Sequence, residues 1–168
     1  TQTAILTFRD VVFRYPNQPD PVFSGLTFDL QRHKSTALVG PTGGGKSICY
    51  QIPALHRYHR TGDLTVVISP LKALMKDQVD NLNKTTGMET AGAINGSLTL
   101  PERGGVMEKV RLGDIGLLYI SPEQLRNFSV AELIGSRDVG CWIFDEAHCL
   151  SKWGHDFRPD YLNVADFI

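Results

Sequence analysis

Apolar and polar positions follow different rhythms along the chain. From Ile5 to Tyr15 the β-branched and aromatic residues Ile5, Phe8, Val11, Val12, Phe13 and Tyr15 predict a strand, closed by the turn-prone run Pro16-Asn17-Gln18-Pro19-Asp20-Pro21. Leu26 to Leu30 alternates apolar and polar and is expected to be its antiparallel hairpin partner. After Gly40, short apolar runs are separated by longer helical patterns, the order of repeated strand–helix–strand units and a parallel sheet. Sheet strands are expected at Thr36–Val39, Leu64–Ser69, Ala91–Ile94, Ile115–Ile120 and Val139–Phe144. Lys46–Tyr58 and Leu71–Leu82 carry apolar positions at helical spacing, the second at Leu71, Leu74, Met75, Val79 and Leu82. Ser97–Leu112 and Pro122–Ile134 are weaker helical patterns, interrupted by Gly104-Gly105 and by Phe128-Ser129.

Composition narrows the class. The 168 residues suit one domain, and 42% hydrophobic residues together with 16 glycines exclude a disordered or collagen-like chain. No apolar run approaches the roughly 18 residues that span a bilayer, and the opening residues lack a signal peptide's basic flank. A soluble, cytoplasmic protein with no membrane partner is therefore expected. Seventeen basic against eighteen acidic residues give a net charge of −1, so any nucleic-acid site has to be local. Cys49, Cys141 and Cys149 form no C-x-x-C pair, which suggests reduced thiols rather than a disulfide framework or a zinc site.

Chemistry concentrates in two segments. Gly40-Pro41-Thr42-Gly43-Gly44-Gly45-Lys46-Ser47 matches the G-x-x-x-x-G-K-[ST] phosphate loop and lies between an expected strand and an expected helix. Thr42, Gly43, Gly44 and Gly45 would turn backbone N–H groups toward nucleotide phosphates. Lys46 would place a point charge on the β- and γ-phosphates, and Ser47 a hydroxyl on Mg²⁺. The second segment is the apolar run Val139–Phe144, which ends in Asp145-Glu146-Ala147-His148. Carboxylates at the C-terminal end of a parallel strand face the crevice where ligands bind. Asp145 would hold Mg²⁺ and Glu146 would orient the water that attacks the γ-phosphate, so the pair of motifs points to an ATP-dependent phosphate-loop NTPase.

These residues, with their surroundings, resemble RecQ-type DNA helicases. Gly43 to Leu55 is similar to that family's motif I region, Val67 to Val79 to motif Ia, and Leu118 to Leu125 to motif Ib. The segment Asp145-Glu146-Ala147-His148-Cys149-Leu150-Ser151-Lys152-Trp153-Gly154-His155-Asp156-Phe157-Arg158-Pro159 is similar to motif II running into the aromatic-rich loop. The resemblance spans Pro41 to about Tyr161. It implies an α/β, RecA-like, three-layer fold with a mainly parallel sheet, acting on single-stranded DNA or on duplex with a 3′ overhang, in the 3′-to-5′ direction. It further implies that His148 couples the ATP site to the DNA side and that Trp153, Phe157 and Arg158 sense single-stranded DNA by stacking and guanidinium contacts. Ser69, Pro70 and Ser121 would touch the DNA backbone. Read from the residues alone, Trp153 and Phe157 have a small core under a loop as their alternative, and Lys72 and Lys76 suit a solvated helix face more than a phosphate track.

The first forty residues carry a second resemblance. Phe8-Arg9-Asp10-Val11-Val12-Phe13-Arg14-Tyr15 and Phe23-Ser24-Gly25-Leu26-Thr27-Phe28-Asp29-Leu30 resemble the opening of an ABC exporter's ATP-binding domain. That likeness would make Tyr15 an adenine-stacking residue, while no Leu-Ser-Gly-Gly-Gln signature follows downstream. The expected organisation is one domain over 1–168, with 1–40 an ABC-like β segment and 41–168 a truncated RecQ-like ATP-binding lobe, as in a chimera or fragment. The second RecA-like lobe, with its arginine finger, is expected to lie outside this chain, and a location at the nucleoid or in the nucleus follows if the protein works on DNA.

Overall fold

The computed structural model describes residues 4–15, 17–31, 36–39 and 45–147. Two compact units, Thr1–Pro53 and Ala54–Ile168, divide the chain. The division falls within a helix, next to Pro53, whose ring removes one i to i−4 hydrogen bond.

The first unit contains the expected hairpin. Strands β1 (Ala4–Phe13) and β2 (Phe23–Gln31) pair antiparallel, with irregular register between Phe8 and Val11. Asp10 has φ 49°, and its N–H donates to the Thr27 hydroxyl at 2.9 Å, which fixes the bulge. Phe8 and Phe28 sit opposite one another and stack at 4.4 Å, a cross-strand pair that reinforces the register. Thr36–Val39 departs from expectation: these residues join no strand, Val39 is 95% exposed and Leu38 is exposed as well. Apolar character suggested a buried strand there, yet a strand exists only through ladder pairing, and these four residues have no ladder partner among the described strands.

The second unit is built on four parallel strands: β3 (Leu64–Ile68), β4 (Ala91–Ile94), β5 (Leu117–Ile120) and β6 (Val139–Phe144), in the spatial order β4-β5-β3-β6. Every residue of β3 and β5 is buried. Successive strand side chains point to opposite faces, so both faces of this central pair are covered, which explains why the strands read as continuous apolar runs rather than alternating ones. The core gathers Leu64, Val66, Ile68, Ile94, Leu118 and Ile120 with Val110, Val130, Leu133 and Ile134 from the helices.

Helices α1 (Lys46–Thr61), α2 (Lys72–Thr86), α3 (Leu100–Leu112) and α4 (Phe128–Gly135) sit where helical spacing was expected, with shifted boundaries. Helix α3 begins at Leu100 instead of Ser97 because Asn95 and Thr99 organise the turn before it. The Ser97 N–H donates to Asn95 Oδ1 at 2.8 Å, and Thr99 and Glu102 form a reciprocal capping box. The pattern Pro122–Ile134 resolves into a 3-10 helix, Pro122–Arg126, and α4. Asn127, extended at ψ 115°, separates them, and its side chain accepts the Ser129 N–H at 3.1 Å.

Candidate functional site

The N-terminus of α1 carries the end of the phosphate-loop signature. Gly45 has φ 74°, and a Cβ placed on it would lie 2.7 Å from Val22 Cγ1 and 3.0 Å from the Phe23 ring. Both the backbone conformation and the hairpin packing against it therefore require glycine. Lys46 and Ser47 follow as the first two helical residues and are half-buried, while Ile48, Cys49 and Tyr50 turn inward. Burial pushes the Cys49 thiol above its ordinary range, which keeps this neighbour of the loop neutral. Thr42, Gly43 and Gly44 lie outside the described residues. Tyr15, expected at adenine, follows β1, is 42% exposed and meets the Phe13 ring edge-on at 4.9 Å.

In the second unit, four strands end on one line. Ile94, Ile120, Ile68 and Phe144 are mutually in register, and the residue after each is polar: Asn95, Ser121, Ser69 and Asp145. The ladder continues through this row, with Ser121 N–H donating to Ile94 O at 3.2 Å, Ser69 N–H to Ile120 O at 3.0 Å and Asp145 N–H to Ile68 O at 2.9 Å. Hydrophobic burial sets the register, and the register in turn sets the polar row along the C-terminal edge, the edge at which open parallel sheets bind ligands.

Individual members of the row are held differently. Ser69 and Ser121 are each 1% exposed, and the Ser121 hydroxyl donates to Glu123 Oε1 at 2.6 Å. Ser69 Oγ makes no hydrogen bond among the described residues. Pro70 is half-buried beside it. Direct contact of either hydroxyl with a strand of DNA thus needs local adjustment, whereas the backbone of Pro70-Leu71 is nearer the surface. Asp145 and Glu146 are half-buried; Asp145 Oδ1 accepts the Glu146 N–H at 3.1 Å, and Glu146 has φ 53°. A glutamate in the left-handed region is uncommon, and such strain gathers at functional turns. His148, Trp153, Phe157 and Arg158 lie outside the described residues.

Sequence reasoning passed over Asn95. The signal was available: Asn95-Gly96 directly follows an expected parallel strand, and the residues after such strands are the ones that line the crevice.

Ser47 and Asp145 are hard oxygen donors of the kind Mg²⁺ takes in ones and twos while keeping its waters and sharing phosphate oxygens. Among the described residues no group of three or more His, Cys, Asp or Glu side chains gathers to hold a metal unaided. Among the described residues no helix is long and apolar enough to cross a membrane.

With this geometry in hand, the sequence profile of the DEAD/DEAH box helicases matches residues 25–168. The chain belongs to that family. It is 48% identical over 132 residues to the ATP-dependent DNA helicase RecQ of Pasteurella multocida, covering 79% of this chain and 20% of the relative. With RecQ of Haemophilus influenzae it shares 50% over 128 residues, 76% of this chain and 20% of the relative. With the ATP-dependent helicase SGS1 of Saccharomyces cerevisiae it shares 38% over 158 residues, 90% of this chain and 10% of the relative. The helicase family match thus spans about a fifth of the length of the RecQ relatives. Among solved structures, a hypothetical ATP-dependent RNA helicase from Sulfolobus tokodaii superposes with a TM-score of 0.58 at 20% identity, over 75% of this chain and 36% of that one. That likeness supports the RecA-like α/β fold.

The helicase match reaches into the segment that resembled an ABC exporter. The family profile starts at residue 25, and the SGS1 alignment omits only about a tenth of the chain, so it includes part of the first forty residues. A transporter ATPase is therefore not the favoured reading.

Proposed function

We propose that the chain is the first ATPase lobe of a RecQ-like helicase, coupling ATP hydrolysis to 3′-to-5′ movement along single-stranded DNA when a second RecA-like lobe completes the site. The observation that carries this reading is the match of the DEAD/DEAH box helicase profile to residues 25–168, which contain both Gly45-Lys46-Ser47 and Asp145-Glu146, together with near-half identity to RecQ helicases. Each residue takes a role its chemistry suits. Thr42, Gly43, Gly44 and Gly45 direct main-chain N–H groups at phosphate oxygens, and the N-terminal end of α1 favours negative charge in the same place. Lys46 supplies a cation to the β- and γ-phosphates. Mg²⁺, when bound, neutralises developing phosphate charge; Ser47 and Asp145 are its protein oxygens. Glu146 orients the attacking water, and His148 links that turn to the DNA side. Tyr15 presents an exposed ring for adenine.

The row at the C-terminal edge gives the DNA side its floor: Ser69, Pro70 and Ser121 meet the sugar-phosphate backbone, while Trp153, Phe157 and Arg158 stack on and pair with single-stranded DNA. A single strand, or a duplex with a 3′ overhang, is the substrate, and the site of action is the nucleoid or the nucleus. Residues 1–168 form a single ATP-binding lobe in this reading, with the hairpin as its N-terminal appendage.

The test is a Mg-ATP binding titration on the chain, with Lys46→Ala and Tyr15→Ala in parallel, followed by ATP hydrolysis with and without oligothymidine. Binding that vanishes in Lys46→Ala supports the reading, and hydrolysis, weak in this lobe without the second one, should still rise with DNA. Hydrolysis indifferent to DNA would count for a transporter-type ATPase, and an absence of ATP binding in the parent would overturn the assignment of the loop.

A further inference from the structure

The end of the sheet opposite the polar row holds a cleft of about 330 Å³, lined by Tyr58, Met88, Glu89, Thr90, Lys109 and Asp114. Its walls come from segments that lead into strands: Thr90 directly precedes β4, Asp114 lies between α3 and β5, and Tyr58 is near the end of α1, before β3. Because β4 and β5 are neighbours, the residues before each lie side by side, and the Thr90 carbonyl accepts the Gly116 and Leu117 N–H groups at 2.9 and 3.1 Å. The Thr90 side chain is a different matter. The residue is 5% exposed, and its hydroxyl has no hydrogen-bond partner among the described residues. Unpaired buried polar groups are rare in folded proteins, and a bound ion or molecule is one thing that satisfies them. Asp114 is exposed, and its carboxylate makes neither a hydrogen bond nor an ion pair among the described residues. The carbonyls of Gly113 and Asp114 share the Tyr58 hydroxyl, which leaves each a second lone pair, and α3 directs the negative end of its dipole to the same place. Lys109 is already paired with Glu89, whose carboxyl it holds below the ordinary range. Two carboxylates against one ammonium leave the cleft acidic, while Met88 and Tyr58 give it an apolar wall.

We infer that this cleft is a binding site for a guanidinium carried on a short apolar stem, as in an alkylguanidine or an arginine side chain. Asp114 supplies the charge partner, the Thr90 hydroxyl an acceptor otherwise left empty, and Met88 and Tyr58 the surface for the stem. A guanidinium fits better than an ammonium because its planar fork of five donors answers several acceptors at once and is more weakly hydrated. The site lies apart from the phosphate loop and from the polar row at the other end of the sheet, so it does not depend on the helicase reading.

The experiment is an NMR titration of the chain with agmatine, with N-acetyl-arginine amide and with N-acetyl-citrulline amide, which keeps the shape of the arginine compound and loses its charge. The two cations should shift the signals of Met88, Thr90 and Asp114, and the citrulline compound should bind about tenfold more weakly than the arginine one. Tighter binding of agmatine supports the site as one for a free small cation, and tighter binding of the arginine amide supports it as one for a side chain of a partner. Asp114→Asn should weaken both cations about tenfold. Thr90→Val should weaken them severalfold while its unfolding temperature holds or rises, because the hydroxyl has no partner to lose; a purely structural threonine would leave binding unmoved. Equal affinity for the arginine and citrulline compounds overturns the inference. So does parental affinity in both Asp114→Asn and Thr90→Val, or a failure of either cation to shift those signals.

Discussion

The main-chain N–H of Asp145 donates to the carbonyl of Ile68 at 2.9 Å, carrying the sheet ladder one residue past the last strand pair, Ile68 with Phe144. Asp145 is therefore held by its backbone, and its carboxylate is set by the register of buried strands. The next residue, Glu146, leaves the ladder at φ 53°.

From this relationship, Asp145→Asn is expected to leave folding within about 0.5 kcal/mol of the parent, since the ladder bond belongs to the main chain and an amide oxygen can still accept the Glu146 N–H. Glu146→Gln should lower ATP turnover about a hundredfold or more, the usual loss when a group that steers a proton or a water is neutralised. Steady-state hydrolysis alongside thermal unfolding checks both halves. A large drop in stability for Glu146→Gln would show that the carboxylate serves structure at that turn.

Gly45→Ala should be damaging for two separable reasons. The left-handed φ of 74° costs an L-residue about 1–2 kcal/mol, and the new Cβ would press on Val22 at 2.7 Å. ATP binding should be lost and the unfolding temperature lowered. Pairing Gly45→Ala with Val22→Ala relieves the clash and not the dihedral, so only part of the stability should return.

Tyr58 lies over Gly116 so closely that a Cβ there would sit 2.2 Å from Tyr58 Cγ, while the Tyr58 hydroxyl shares its proton between the carbonyls of Gly113 and Asp114 at 2.8 and 2.9 Å. Tyr58→Phe should cost about 1 kcal/mol through the lost hydrogen bond. Gly116→Ala should cost about 1–3 kcal/mol by overpacking, and much less in a Tyr58→Ala background. A denaturant-unfolding double-mutant cycle measures the coupling; additive losses would contradict the contact.

Asp63 supplies a pH dependence. Arg57 donates to Asp63 Oδ2 from Nη2 at 2.5 Å and from Nε at 3.1 Å, and this pairing holds the carboxyl below its ordinary 3.8. A carboxylate whose folded value is lowered stabilises the fold above its unfolded value and loses that contribution as pH falls through the folded one. Stability should therefore decline on acidification below about pH 4. Asp63→Asn should cost about 1 kcal/mol at neutral pH, a modest value because Arg57 is partly exposed, and should flatten that acid limb. Unfolding curves across the acid range decide it.

Much of this was legible in one dimension. The runs Leu64–Ile68 and Leu117–Ile120 announced buried strands because both faces of this central pair are covered, so apolar residues dominate them and even Thr65 is buried, whereas Val139–Phe144, at the edge of the described sheet, is only half-buried. The phosphate-loop signature and Asp145-Glu146 were legible because their chemistry demands fixed residue types at fixed spacing. Thr36–Val39 misled for the converse reason: Ala37, Leu38 and Val39 state a preference for burial, and only pairing with another strand makes the segment a strand.

What the sequence determined by itself is local: which segments are helical or extended, where Asn95, Thr99 and Asn127 stop or start a helix, and which residue types can meet phosphate and metal. The tertiary structure decided which of these stand together. The order β4-β5-β3-β6 aligned Asn95, Ser121, Ser69 and Asp145 on one edge, and it brought Arg103 to Gln124 and Lys72 to Gly96. No local spacing encodes those meetings, because sheet order and register follow from burying apolar side chains contributed by segments far apart in the chain.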